Sequence, residues 1–167
     1  MNRTIRTLCM AIFLATLSGA HSQLVMAQGG VGAAATGRAI GDPVPPDAVG
    51  AATLASDHWL AVLDAGNFGD SWKGAAEVFK LGVSESDWIS ELEGMHEKLG
   101  KTTMREMKSA QFSTTLRGAP STGEYVTISY LTKFANAPIA TETLIVSKEA
   151  DGEWRIAGYN IGKPPDK

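Results

Sequence analysis

Cysteine is almost absent from this chain of 167 residues: there is one, Cys9, and it lies in an apolar N-terminal stretch. That excludes a disulfide framework and a thiolate metal centre in the rest of the chain. Histidine is nearly as scarce. His21, His58 and His96 show neither an HExxH motif nor a paired spacing, so no metal site and no cofactor are expected. Lysine and arginine form no cluster, and the formal charge is −3, which makes nucleic acid an unsuitable partner. No serine sits in a nucleophile elbow, and no glycine-rich loop links a strand to a helix as phosphate binding requires. The apolar run over residues 8–17 is half the length of a membrane span, which takes about 20 residues.

The run has a different meaning. Arg3 and Arg6 precede it and small residues follow, which is the layout of a cleaved secretory signal peptide. The favoured cleavage is "VMA|Q" after Ala27, and "SGA|H" after Ala20 is the rival. Removal of 1–27 would take Cys9, two of the 15 basic residues and none of the 18 acidic ones, moving the charge from −3 to −5. A periplasmic or secreted protein is expected, with no transmembrane segment in the mature chain. Residues 28–46, "QGGVGAAATGRAIGDPVPP", hold little to bury and read as a flexible tether. The organisation expected is then signal peptide 1–27, tether 28–46, one domain over 47–162 and a short tail, 163–167.

The domain begins with a helical period. Asp47 is a candidate N-cap, and Val49, Ala52, Ser56, Trp59, Leu60 and Leu63 follow at three- and four-residue spacing until Gly66. A short helix is predicted over 70–79, with Trp72, Ala75, Ala76 and Phe79 on one face. Another starts at "VSESDW", where Ser84 and Asp87 stand in capping-box spacing, and runs through Trp88, Leu92, Met95 and Leu99 to Gly100. His58 shares a side with Ala51, Ala55 and Val62, the setting of a partly buried structural histidine. His96 is placed on a solvated side. Glu91, Glu93 and Glu97 read as a solvated helix face.

After Gly100 the period becomes two. Strands are predicted over 102–116, 124–134, 140–149 and 153–161. In "EYVTISYLTKF", Val126, Ile128, Tyr130 and Phe134 face one way, and Tyr125, Thr127, Ser129 and Lys133 the other. Helices first and an antiparallel meander after predict an α+β fold, with N-terminal helices packed on a curved four-stranded sheet. For the last hairpin, a three-residue "ADG" loop with Gly152 left-handed pairs Glu149 with Glu153, Lys148 with Trp154, Val146 with Ile156 and Leu144 with Gly158. Continued without a break, this register sets Glu142 opposite Asn160 on the helix-facing side. Arg155 and Tyr159 then share the outer face with Thr127, Ser129 and Thr143.

The stretches "WLAVLDAGNFGDSW", "DWISELEGMHEKLG", "STTLRGAPSTGEYVTISYLTKFAN" and "TETLIVSKEADGEWRIAGY" resemble the bacterial domain-of-unknown-function 4019 family over roughly residues 51–161. The resemblance implies a secreted setting and a layout similar to cystatin-like and nuclear-transport-factor-2-like rolls. It implies no activity and hands over no catalytic residue.

Two kinds of site are expected from the residues. The half-polar outer face, with Thr127, Ser129, Thr143, Arg155 and Tyr159, suits a protein partner in the envelope or a second copy of the chain. An inner pocket near Tyr130, Glu142 and Asn160 would suit a small-molecule ligand. The leading reading is a non-enzymatic protein- or ligand-binding module. The alternatives are a small enzyme of the ketosteroid-isomerase or dehydratase type, using that inner pocket, and a structural envelope protein held by its tether.

Overall fold

The computed structural model describes Pro45 and residues 47–116 and 122–163. The expected signal peptide and, apart from Pro45, the expected tether (28–46) lie outside or at the margin of these residues, as do 164–167. The order is α1 (Ala48–Asp64), α2 (Phe68–Lys73), α3 (Glu77–Gly82), α4 (Glu85–Leu99), β1 (Thr102–Ser113), β2 (Tyr125–Phe134), β3 (Ala140–Lys148) and β4 (Trp154–Gly162). The strands form one antiparallel meander in the order β1-β2-β3-β4. The fold is α+β, with the helices on one face of the sheet.

α1 buries Ala48, Ala52, Ser56, Trp59, Leu60 and Leu63, the stripe its spacing predicts with Ala48 in place of Val49. Its start differs from expectation. Asp47 is left-handed (φ 66°) and its side chain caps nothing. It instead completes a tight turn in which the Ala48 N–H donates to the Pro45 carbonyl at 3.2 Å. The single helix expected over 70–79 is two short ones. Between them Ala75 and Ala76 are fully buried, and the Ala76 N–H donates to the Ile156 carbonyl on β4 at 2.9 Å. The helix is interrupted at this contact with β4.

α4 starts as its cap predicts, with the Asp87 N–H donating to Ser84 Oγ at 3.2 Å. It ends at Gly100 (φ 72°), where a Cβ would fall 2.8 Å from the Asn136 side-chain nitrogen. Glycine is required there by conformation and by space. Val126, Ile128, Tyr130 and Phe134 of β2 face the helices, and Ile128, Val126, Leu144 and Val146 are fully buried. Burial of each such side chain contributes about 1.5–3 kcal/mol.

The last hairpin turns as expected. Gly152 is left-handed (φ 86°), and the Glu149 N–H donates to the Glu153 carbonyl at 2.8 Å. Lys148 faces Trp154 and Val146 faces Ile156. There the expected register ends. Ile145 pairs with Gly158, so Ala157 is an extra residue, and beyond this bulge Leu144 faces Tyr159, Thr143 faces Asn160 and Glu142 faces Ile161. One inserted residue reverses the facing of every residue that follows.

Candidate functional site

The bulge in β4 builds the most polar part of the interior. It turns Tyr159 inward, against Trp59 (ring centroids 5.3 Å apart) and Trp88 (6.1 Å). From there the Tyr159 hydroxyl donates to Glu142 Oε1 at 2.6 Å. Glu142 has no exposed surface. Arg105 of β1 donates to it twice, Nε to Oε2 at 2.7 Å and Nη2 to Oε1 at 3.2 Å, and the Thr132 hydroxyl donates to Oε2. The same guanidinium reaches Asp64 at the end of α1, with Nη1 to Oδ2 at 2.6 Å and Nη2 to Oδ1 at 3.1 Å. Thr102 also donates to Asp64, at 3.0 Å. Arg105 therefore ties the helix layer to the third strand across β2.

Burial alone would lower the Arg105 pKa, but hydrogen bonds and charge from Asp64 and Glu142 outweigh it and hold the group above its ordinary range. Burial, then the neighbouring Glu142 charge and hydrogen bond, raise the Tyr159 phenol well above its ordinary value. Tyr130 donates to Asp57 at 3.2 Å, and burial followed by the Asp57 charge raises it too. A carboxylate offers about four lone-pair sites. Glu142 has a donor on each, which leaves none to receive a proton from a bound molecule. The adjoining cleft, between Asp64, Phe68, His96, Thr102 and Tyr159, has a volume of about 30 Å³. That is room for roughly one water.

The residues expected to line an inner pocket are thus divided. Tyr130 and Glu142 are opposed on the inner face, as expected, but Asn160 is exposed on the outer face. Tyr159, placed by the unbroken register on the outer face, is buried and belongs to the Glu142 cluster. Both corrections come from the extra residue at Ala157. Thr127, Ser129 and Thr143 do lie on the outer face, half-buried. Arg155 lies opposite Ser147 and is clamped by Asp151, with Nη1 to Oδ1 at 2.8 Å and Nη2 to Oδ2 at 2.7 Å. His58 is exposed rather than partly buried, and His96 is half-buried against Phe68.

Arg105, Asp64 and Thr132 carry the buried cluster and were not read from the sequence. One signal could have pointed to Arg105: an inward carboxylate in an apolar face needs a cation, and the strands carry two arginines, Arg155 on the adjacent β4 and Arg105 on β1, two strands away from Glu142. Two bulges in β1, at Thr103 and Lys108, break the alternation that would have shown which way it faces.

The large concavity lies elsewhere. A groove of about 670 Å³ runs between the flank of α1, α2 and the start of β4. Ala51, Ala55 and Val62 form one wall, Trp154 and Ile156 the other, with Trp59 beneath. Leu54 at its rim is 72% exposed. His58, Asp70, Glu153 and Arg155 supply its polar groups. Among the described residues no group of three or more histidine, cysteine or acidic side chains is placed to hold a metal ion, and no helix is long and apolar enough to cross a membrane.

The sequence pattern of the family described as "Protein of unknown function (DUF4019)" matches residues 55–159. The chain belongs to this family. The match runs from the middle of α1 to Tyr159 in β4 and so takes in both the buried cluster and most of the groove. Among curated proteins, none matches the chain in sequence. Solved structures similar to it include one from Catenulispora acidiphila, 13% identical, with a TM-score of 0.47 over 67% of this chain and 88% of that one. ActVI-ORFA from Streptomyces coelicolor is 17% identical, with a TM-score of 0.46 over 70% and 95%. A protein provisionally named a ketosteroid isomerase, from Shewanella frigidimarina NCIMB 400, is 19% identical, with a TM-score of 0.45 over 67% and 94%. Identities and scores at this level assign no chemistry.

Proposed function

We propose that this protein is a non-enzymatic binding module of the bacterial periplasm or exterior, and that it binds its partner or ligand in the groove between α1 and the start of β4. The observation that carries the reading is the contrast in occupancy. The buried carboxylate has every lone pair engaged and a cleft of about 30 Å³ beside it, whereas the groove is open, apolar and about 670 Å³. Ligand sites commonly have volumes of about 300–1,000 Å³, apolar walls and a few polar groups. The secreted setting rests on the N-terminal pattern of basic residues, apolar run and small residues.

The test is a screen of neutral apolar fragments by amide NMR on the purified protein. Shifts grouped on α1 between Ala51 and Val62 and on β4 between Trp154 and Ile156 are expected. Shifts grouped on Tyr130, Glu142 and Tyr159 would instead favour a ketosteroid-isomerase or dehydratase-like enzyme. Turnover of a ketosteroid that Glu142→Gln abolishes in a folded protein would establish that reading.

A further inference from the structure

The groove's chemistry identifies a class of occupant. Three of the four tryptophan indoles are satisfied by the protein: Trp59 donates to the Ser71 carbonyl at 2.7 Å, Trp88 to Ser71 Oγ at 3.0 Å and Trp72 to the Val83 carbonyl at 2.9 Å. Among the described residues the indole N–H of Trp154 has no partner, and Trp154 lines the groove. Tryptophan placed with one side on apolar packing and a free N–H is typical of interfaces.

The charge is equally one-sided. Arg155 contributes no free cation, because Asp151 holds both of its terminal nitrogens. Among the described residues the Glu153 carboxylate makes no side-chain hydrogen bond, though its charge acts on Arg155 together with those of Asp151 and Glu149, and Asp70 has only a long 3.6 Å contact with exposed Lys73, which is equally distant from Glu85. The rim is therefore acidic over an apolar floor.

The length of the groove suits a short stretch of chain. The α1 wall runs from Ala51 to Val62, about 16 Å at the helical rise of 1.5 Å per residue. An extended peptide covers that distance with roughly five residues at 3.3 Å each. Such a peptide supplies the three features the groove is matched to: alternate apolar side chains for Ala51, Ala55 and Ile156, a carbonyl for the Trp154 N–H, and basic side chains for Glu153 and Asp70. We infer that the groove receives an extended segment of a partner protein in which apolar residues alternate with lysine or arginine. This rests on the groove being the binding site.

The test uses three end-blocked six-residue peptides with leucine at alternate positions and lysine, glutamine or glutamate between. Each is titrated into the purified full chain by calorimetry, with amide NMR to locate it. The lysine peptide is expected to bind about five-fold tighter than the glutamine one, as two part-exposed ion pairs allow, with the glutamate peptide weakest. Glu153→Gln should remove about half of that preference. Trp154→Phe, which keeps the ring and loses the N–H, should weaken all three peptides alike. Equal affinities, or a preference for glutamate, would overturn the inference. So would a gain in affinity from Arg38→Glu, a change at the single basic residue of 28–46, which would mark the chain's own N-terminal segment as the occupant, or a dimer that the peptide dissociates, which would mark a second copy. If no peptide binds but neutral fragments still shift the groove amides, the inference falls and the binding site stands; if neither does, both fall.

Discussion

The cluster around Glu142 and the rim of the α1–β4 groove use the same side-chain types, carboxylate, arginine and aromatic donor, and treat them in opposite ways. In the cluster a fully buried carboxylate meets four donors from three residues, and its arginine is shared with Asp64. At the rim an arginine is held by one exposed aspartate, while among the described residues a glutamate carboxylate and an indole N–H make no hydrogen bond to the protein. A buried polar group without a partner is costly, so the interior closes its network and leaves nothing to offer a ligand. Water satisfies the groups at the rim, and a ligand can replace that water. The most conspicuous ionisable cluster of the protein is therefore the less suitable place for chemistry.

The sharpest way to break this contrast is to open the cluster. Glu142→Leu leaves Arg105 with a half-empty set of acceptors in a largely buried position and is expected to cost about 3–5 kcal/mol in urea unfolding. Adding Arg105→Met should recover most of that loss, because removing both partners removes the unpaired charge. A single variant of unchanged stability would show that the cluster is not structural. Tyr159→Phe removes one hydrogen bond to a charged group and should cost about 2 kcal/mol by the same measurement.

Alkaline titration separates the tyrosines from the rest. Tyr130 and Tyr159 are raised in the folded state. Their contribution is fully present below the unfolded tyrosine value of about 10 and is lost as pH rises beyond it, because the unfolded chain releases those protons first. Stability should fall above pH of about 10, and less steeply in Tyr159→Phe. A flat profile would contradict their burial.

The groove should respond in the opposite sense. Leu54→Ser, at an exposed rim position, is expected to change stability by no more than about 0.5 kcal/mol while weakening any groove ligand, because it removes apolar contact without adding charge. The smallest effect belongs to the Arg155–Asp151 pair. Its hydrogen bond to Arg155, with the Glu153 backbone N–H, lowers Asp151 to about 2. The pair's contribution is present above the unfolded aspartate value and is lost as pH falls through about 2. Arg155→Met should raise the Asp151 carboxyl, followed by NMR, part of the way towards the ordinary value near 4, the Glu153 N–H remaining in place, with little change in melting. A large loss of stability would mean that the rim is built like the interior.

Much of the architecture is legible in the residues. The α1 stripe, the Ser84 cap, the Gly100 stop, the inward side of β2 and the left-handed Gly152 turn each follow from a local rule within a few residues. The departures differ in cause. The break at Ala75–Ala76 depends on how the chain meets β4, whereas Asp47 is set by a local turn with Pro45. For the site, the inward placement of Tyr130 and Glu142 was readable from alternation, whereas Arg105, Asp64 and Thr132 became visible only once β1 and α1 were docked. The groove could not be read at all, since its walls come from three elements distant in sequence.

By itself the sequence determined an α+β chain of helices followed by a four-stranded antiparallel meander, because periodicity, caps and turns are local properties of the backbone. Only the tertiary structure decided that Ala157 is an extra residue in β4. A bulge leaves no mark in the alternation until the neighbouring strand shows which residues pair. That one residue sends Tyr159 inward to Glu142 and Asn160 out to solvent. The buried carboxylate thereby gains its fourth hydrogen bond.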